Sequence, residues 1–171
     1  MELDQVIKER YSVRQYSPKK VEREKLDELL RISQMAPTAA NRQPVRVIVV
    51  QEEQGLDKVA KAARVYRAPL VLIVCADRDA AWVREFDHKN HLDIDASILT
   101  DHMMLKATDL GLGSVWICRF DPEVIRAEFR LPASWEPVNL LALGYPAAES
   151  APSKMHTDRK KLEEYVYYET V

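Results

Sequence analysis

With 171 residues, 47% hydrophobic and 30% charged, the chain has apolar material for one ordinary core and too much of it to stay disordered. A net charge of -2 excludes a general field drawing it to nucleic acid or an anionic membrane, so any anion site must be local. The longest apolar runs, Val45 to Val50 and Pro69 to Ala76, have strand length rather than bilayer length, and Met1-Glu2-Leu3-Asp4 lacks the apolar stretch of a secretory signal. The expectation is a single cytoplasmic domain over residues 1–171, with no nucleic-acid or membrane partner. Cys75 and Cys118 form no CxxC pair, and Cys75 lies inside an apolar run, so a buried free thiol and no disulfide are expected.

In chain order, Leu3, Val6 and Ile7 share one face of a short helix ending near Arg10. The next segment, Arg10-Tyr11-Ser12-Val13-Arg14-Gln15-Tyr16, places two guanidiniums and a hydroxyl at alternate positions. In extended backbone all three point to one side, a shape for holding an anion. Val21 to Met35 reads as a second amphipathic helix stopped by Pro37. Then come the small-residue loop Ala36 to Pro44, a central strand at Val45 to Gln51, a short helix around Leu56 to Ala63 and a buried strand at Pro69 to Asp77.

Ala80 to Leu110 is mostly helical in propensity, and from Leu92 onward its apolar residues fall on more than one face, as in a helix buried centrally or shared with a partner subunit. Gly111 supplies a left-handed C-cap before a strand at Ser114 to Cys118. Asp121-Pro122 caps a helix to Phe129, Val138 to Leu143 is a fourth strand, and Tyr165 to Tyr168 favours a last extended segment. The elements do not alternate as strict βαβ units. They predict an α+β fold with a mixed, largely antiparallel central sheet flanked by helices.

Four glycines leave no GxGxxG or GxxxxGK[ST] loop, so side chains must hold the phosphate of any nucleotide cofactor. His88 and His91, three apart on an expected helical face, form no recognised metal motif, and no metal is expected. Cys118 beside Arg119 has no histidine placed by sequence as its base, and a serine hydrolase would need a GxSxG elbow.

The ordered set of Arg10-Tyr11-Ser12-Val13-Arg14-Gln15-Tyr16, Ala36-Pro37-Thr38-Ala39-Ala40-Asn41-Arg42-Gln43-Pro44, Gly111-Leu112-Gly113-Ser114-Val115-Trp116-Ile117, Leu143-Gly144-Tyr145-Pro146 and Arg159 resembles the nitroreductase family over nearly the whole chain. That resemblance implies the nitroreductase fold and an FMN-dependent homodimer with active sites at the subunit interface. It implies hydride transfer from NAD(P)H through flavin N5 to a small nitroaromatic- or quinone-like acceptor, by a ping-pong mechanism. Arg10 and Ser12, with Tyr11 between them, would hold the phosphate and ribityl end, with Arg159 a second cation on the phosphate. Arg14 would be the catalytic cation at the N1–O2 edge, where negative charge develops as hydride reaches N5. Pro37, Thr38, Ala39, Asn41 and Gln43 match the loop that reaches the flavin from the other subunit, and Trp116, Ile117 and Cys118 the strand packed on its other side.

The departures are Val45 where the family usually has Trp, Tyr11 in place of a basic residue, and Cys118-Arg119 in place of acid-glycine or small-residue pairs. The short Ala63 to Pro69 segment implies that flavin-edge contacts made there in longer members are missing. The alternative from another class is an FMN-binding sensor or flavin-remodelling protein without NAD(P)H turnover.

Overall fold

A computed structural model describes all 171 residues. Helices α1 (Leu3–Glu9), α2 (Arg23–Ser33), α3 (Glu53–Ala62), α4 (Leu92–Asp109) and α5 (Pro122–Phe129) accompany strands β1 (Val45–Val50), β2 (Leu70–Asp77), β3 (Gly113–Ile117) and β4 (Trp135–Gly144). The sheet order is β1-β2-β4-β3 and every pairing is antiparallel. The α+β expectation therefore holds, with parallel character confined to an isolated bridge between Ser12 and Ser114.

β2 sorts the core. Val71 to Ala76 are fully buried, and strand periodicity sends alternate residues to opposite faces. Leu70, Leu72 and Val74 pack with Leu26 and Leu29 of α2 and Ala96 and Met103 of α4, whereas Val71, Ile73 and Cys75 pack with Val59 of α3 and Ile125 of α5. The sheet is thus sandwiched between two helical layers, which explains why β2 is apolar on both faces. β1 has the same composition but lies at the sheet edge, which corrects its expected central place. Each of its faces is only partly covered: Val47 packs half-buried against one core layer and Ile48 against the other.

Helix ends follow local chemistry. Gly111, at φ 73°, donates to the Thr108 carbonyl at 2.9 Å and Leu112 to that of Ala107 at 2.8 Å, the paired bonds of a Schellman cap closing α4. Asp121 accepts from the Glu123 and Val124 amides at 3.0 and 3.3 Å with Pro122 in the first turn, as expected for α5. β4 runs longer than expected and shifts register opposite Val74 and Cys75, next to Pro137, which has no N–H for a regular ladder.

Three expectations are corrected. The helix foreseen from Ala80 begins only at Leu92, because Asp87 and Asn90 turn the preceding segment by accepting the Lys89 and Leu92 amides at 3.2 and 2.9 Å. His88 has φ 56° outside the helix, so it shares no helical face with His91. The tail forms a 3-10 turn at Leu162–Glu164 and no strand at Tyr165 to Tyr168. Aromatic and β-branched residues favour a strand only where a partner edge accepts their backbone bonds, and no strand pairs with them.

Candidate functional site

The segment from Arg10 to Tyr16 runs as an extended ribbon along β3. The Val13 amide donates to the Ser114 carbonyl at 2.9 Å, Ser17 donates to Tyr145 at 2.8 Å, and Tyr16 bridges Pro146. Val13 is buried while Arg14 is exposed, so the alternation read from sequence is realised. The close contact with β3 requires Gly113, where an added Cβ would lie 2.5 Å from a Val13 methyl. At Gly144 it would lie 2.6 Å from Pro69 and 3.0 Å from the Tyr16 ring. Tyr16 donates to the Ala142 carbonyl at 3.1 Å, and burial pushes its phenol pKa well above the ordinary tyrosine range, keeping it neutral. Tyr145 anchors the other end, donating to Glu22 at 2.6 Å under the Lys19 ammonium.

The tail returns over this ribbon. Tyr11 meets His156 edge to face, with ring centroids 6.4 Å apart, and its hydroxyl lies 3.2 Å from that of Ser150. His156 Nε2 lies 3.3 Å from the Lys8 carbonyl. Between ribbon and tail is a cleft of about 180 Å³ lined by Arg10, Tyr11, Ser12, Arg14, Ser153, Met155, His156 and Arg159. The structure therefore brings together Arg10, Tyr11, Ser12, Arg14 and Arg159 across 145 or more residues of sequence between Arg14 and Arg159.

The cleft gathers three arginines and no acidic side chain, and Arg10, Arg14 and Arg159 have no carboxylate within ion-pair distance. Arg159 donates only to the Met155 and Asp158 carbonyls, at 3.0 and 2.7 Å, and Arg14 to the Ser12 carbonyl at 3.3 Å. Three uncompensated guanidiniums beside a serine hydroxyl suit a phosphate, whose oxygens accept several charge-assisted bonds.

The 37–43 loop lies elsewhere. It precedes β1, at the sheet edge opposite β3, and supplies no residue to the ribbon cleft. Ala40, Asn41 and Gln43 all have positive φ, near 50°, a region unfavourable for residues other than glycine. Contacts on both sides hold the loop there: Thr38 Oγ1 accepts the Gln43 amide at 3.0 Å, Gln43 Nε2 donates to Asn41 Oδ1 at 3.1 Å, and the Ala39 amide donates to Asp95 Oδ1 at 2.9 Å. Pro37 and Asn41 are exposed. Asp95, which the sequence reading passed over, is 1% exposed in the first turn of α4, where the helix dipole favours its charge. Its signal was present: Asp95 stands three residues after Leu92 and four before Leu99, on the stripe facing the core. Replacing it with Ala leaves the Ala39 amide without its partner, and unfolding free energy should fall by ~1–3 kcal/mol in urea titration. Asp95→Asn keeps an acceptor and should lose less.

On β3, Ile117 faces a neighbouring cleft with Tyr66, while the Trp116 ring packs against the core layer on the α4 side. Trp116 is not among the residues that line the ribbon cleft. Cys118 is exposed just beyond the strand. Cys75 is buried, and burial pushes its thiol up to about 12. A thiol reagent should therefore label Cys118 in the folded protein and Cys75 only on unfolding; two fast-labelled thiols would show that β2 opens readily. Tyr66 and Arg64 were also missed by the sequence reading. Their turn brings Tyr66 within 5.9 Å of the Arg14 guanidinium and 5.1 Å of that of Arg64, so the short segment does reach the predicted site.

No cluster of three or more His, Cys, Asp or Glu side chains is placed to hold a metal, and no helix is long and apolar enough to cross a membrane.

A sandwiched antiparallel sheet with an arginine ribbon at one edge and a strained loop at the other defines an α+β class of protein with a local anion-binding cleft. The chain belongs to the Nitroreductase family, whose model matches residues 7–64 and 59–145. A crystal structure of a nitroreductase family protein from Clostridium difficile 630 covers all of both chains at 50% identity and a TM-score of 0.94. The FMN reductase [NAD(P)H] of Bacillus subtilis is 30% identical over 87% of this chain and 69% of its own length. The NADH dehydrogenase of Thermus thermophilus is 31% identical over 84% of this chain and 86% of its own.

Proposed function

We propose that the protein is an FMN-dependent oxidoreductase that passes hydride from NAD(P)H to a small nitroaromatic- or quinone-like acceptor by a ping-pong mechanism. The observation that carries this reading is the convergence of Arg10, Ser12, Arg14 and Arg159 on one cleft without a neutralising carboxylate. The relatives support it, one being an FMN reductase [NAD(P)H] and another, a solved Clostridium difficile protein with 26% identity and a TM-score of 0.79, an FMN-dependent nitroreductase.

FMN, when bound, supplies a site that accepts hydride from one reactant and returns it to the next. Arg10, Ser12 and Arg159, which line one cleft, would hold its phosphate and ribityl end. Arg14, farther along the same ribbon face, would supply a fixed cation to stabilise negative charge developing on the bound cofactor. No side chain is needed as a general acid, because protons reach the exposed cleft from water.

The working unit of this proposal is a homodimer. The ribbon and the 37–43 loop lie at opposite edges of one sheet, so a site using both needs the loop of a second copy. The tail supports the same reading, since Met155, Leu162, Tyr165, Tyr167 and Tyr168 are all exposed in the single chain.

The test is FMN titration of the purified chain, followed by anaerobic mixing with NADH or NADPH. The expected result is a yellow protein whose flavin absorbance bleaches and returns on adding acceptor. Protein that takes up no FMN would overturn the proposal, and FMN binding without bleaching would favour a flavin-binding sensor instead.

A further inference from the structure

Two polar atoms at the start of α4 are buried without a hydrogen-bond partner, His91 Nε2 and Asp95 Oδ2. They belong to residues one helical turn apart, since the Asp95 amide donates to the His91 carbonyl at 3.1 Å, and side chains so spaced share a helix face. The two atoms are complementary. A carboxylate oxygen only accepts, and an imidazole nitrogen donates when it carries the hydrogen. Asp95 is 1% exposed, so an unpaired oxygen there is costly, and pairing it with His91 would relieve both atoms at once.

Each residue also grips a different segment. The His91 amide donates to the Trp82 carbonyl at 3.0 Å, and its ring meets that of Trp82 edge to face with centroids 4.9 Å apart, which restrains the plane of the imidazole. Asp95 ties the 37–43 loop to α4, its Oδ1 accepting the Ala39 amide at 2.9 Å. That loop has positive φ at Ala40, Asn41 and Gln43, a shape that persists only while surrounding contacts impose it. Rotation of the Asp95 carboxylate would release the Ala39 amide. Whatever fixes its second oxygen therefore fixes the loop.

We propose that His91 is a positioning residue, whose Nε2–H donates to Asp95 Oδ2, locks the other oxygen on the Ala39 amide, and so sets the 37–43 loop in the shape it presents to a second copy. His91 acts through Asp95 and the loop. The proposal rests on the dimeric oxidoreductase reading only for what the loop meets.

The experiment is nitrogen-15 NMR of the purified protein at a pH where the imidazole is neutral, with backbone amide exchange measured on the same samples. The hydrogen bond made by the ring decides which of its nitrogens carries the hydrogen. Wild-type His91 should be the Nε2–H tautomer. In D95N the side-chain oxygen stays on the Ala39 amide and its NH2 group, itself a donor, faces the ring, so His91 should change to the Nδ1–H tautomer. H91A should speed exchange at the Ala39 amide about tenfold or more, while β2 amides change less. H91Q restores a donor near the Nε2 position without the ring's packing on Trp82, and should bring Ala39 back to within about threefold of wild type. An Nδ1–H ring in the wild type, the same tautomer in wild type and D95N, unchanged Ala39 exchange in H91A, or equal acceleration of Ala39 and β2 would overturn the proposal. The tautomer comparison decides it even where H91A fails to fold. FMN titration of the same samples separates the two readings: a wild-type protein that takes up no FMN fails the cofactor reading and leaves the tautomer and exchange results standing, whereas normal uptake with an unchanged tautomer in D95N fails only the role of His91.

Discussion

Replacing Arg10 and Arg159 together by alanine is expected to raise the dissociation constant for FMN by roughly 10²–10⁴-fold. A charge-assisted contact contributes ~1.5–3 kcal/mol, and each ~1.4 kcal/mol is a factor of ten. The two residues come from opposite ends of the chain and meet in one cleft, so neither can substitute for the other's direction of approach. Neither takes part in a salt bridge whose loss would destabilise the fold; Arg159 bonds only to carbonyls within its own tail. Unfolding free energy should accordingly move by no more than ~0.5 kcal/mol. Quenching of flavin fluorescence gives the affinity, and urea titration supplies the control. Arg159→Lys, which keeps the charge but not the planar fork, should fall between wild type and Arg159→Ala. Wild-type affinity in the double variant would remove the ribbon cleft as the phosphate site.

Much of this cleft was legible because its key half is a local pattern. Alternation of Arg10, Ser12 and Arg14 around an apolar Val13 survives in any extended backbone, and Val13 buries itself against β3 as the pattern requires. Arg159 could be assigned only through family resemblance, since nothing local to it marks an anion site. The core of β2 was equally plain, whereas the edge position of β1 was not, because an edge strand that packs apolar residues against both core layers has the same composition as a central one. The failed strand at Tyr165 to Tyr168 has the same origin: propensity records what a residue favours and not whether a partner strand is available. Asp95 and Tyr66 were missed for a different reason. Each acts on a segment distant in sequence, Asp95 on the Ala39 amide and Tyr66 on the Arg14 guanidinium, and only the folded chain sets those pairs side by side.

Arg14→Ala should slow flavin bleaching by NAD(P)H about 10²–10³-fold, the usual cost of removing one donor aimed at developing negative charge. FMN affinity should change far less, because the phosphate grip through Arg10, Ser12 and Arg159 remains. The size of the effect follows from the surroundings of Arg14. Its guanidinium has no carboxylate partner, bonds only to the Ser12 carbonyl and lies 5.9 Å from the Tyr66 ring centroid, so its charge is oriented without being neutralised. In the proposed dimer the loop of a second copy would cover this cleft, and excluding water strengthens a charge that bulk solvent would otherwise screen. The same cation should raise the flavin's reduction potential, so Arg14→Ala should lower it by tens of millivolts, with ~30 mV corresponding to ~1.4 kcal/mol for a two-electron couple. Arg14→Lys should recover part of both the rate and the potential, since it restores charge without the bidentate fork. Stopped-flow absorbance and spectroelectrochemical titration read the two quantities independently. A slowed rate at an unchanged potential would mean that Arg14 positions the nicotinamide rather than stabilising the charge, and an unchanged rate would remove it from the chemistry altogether.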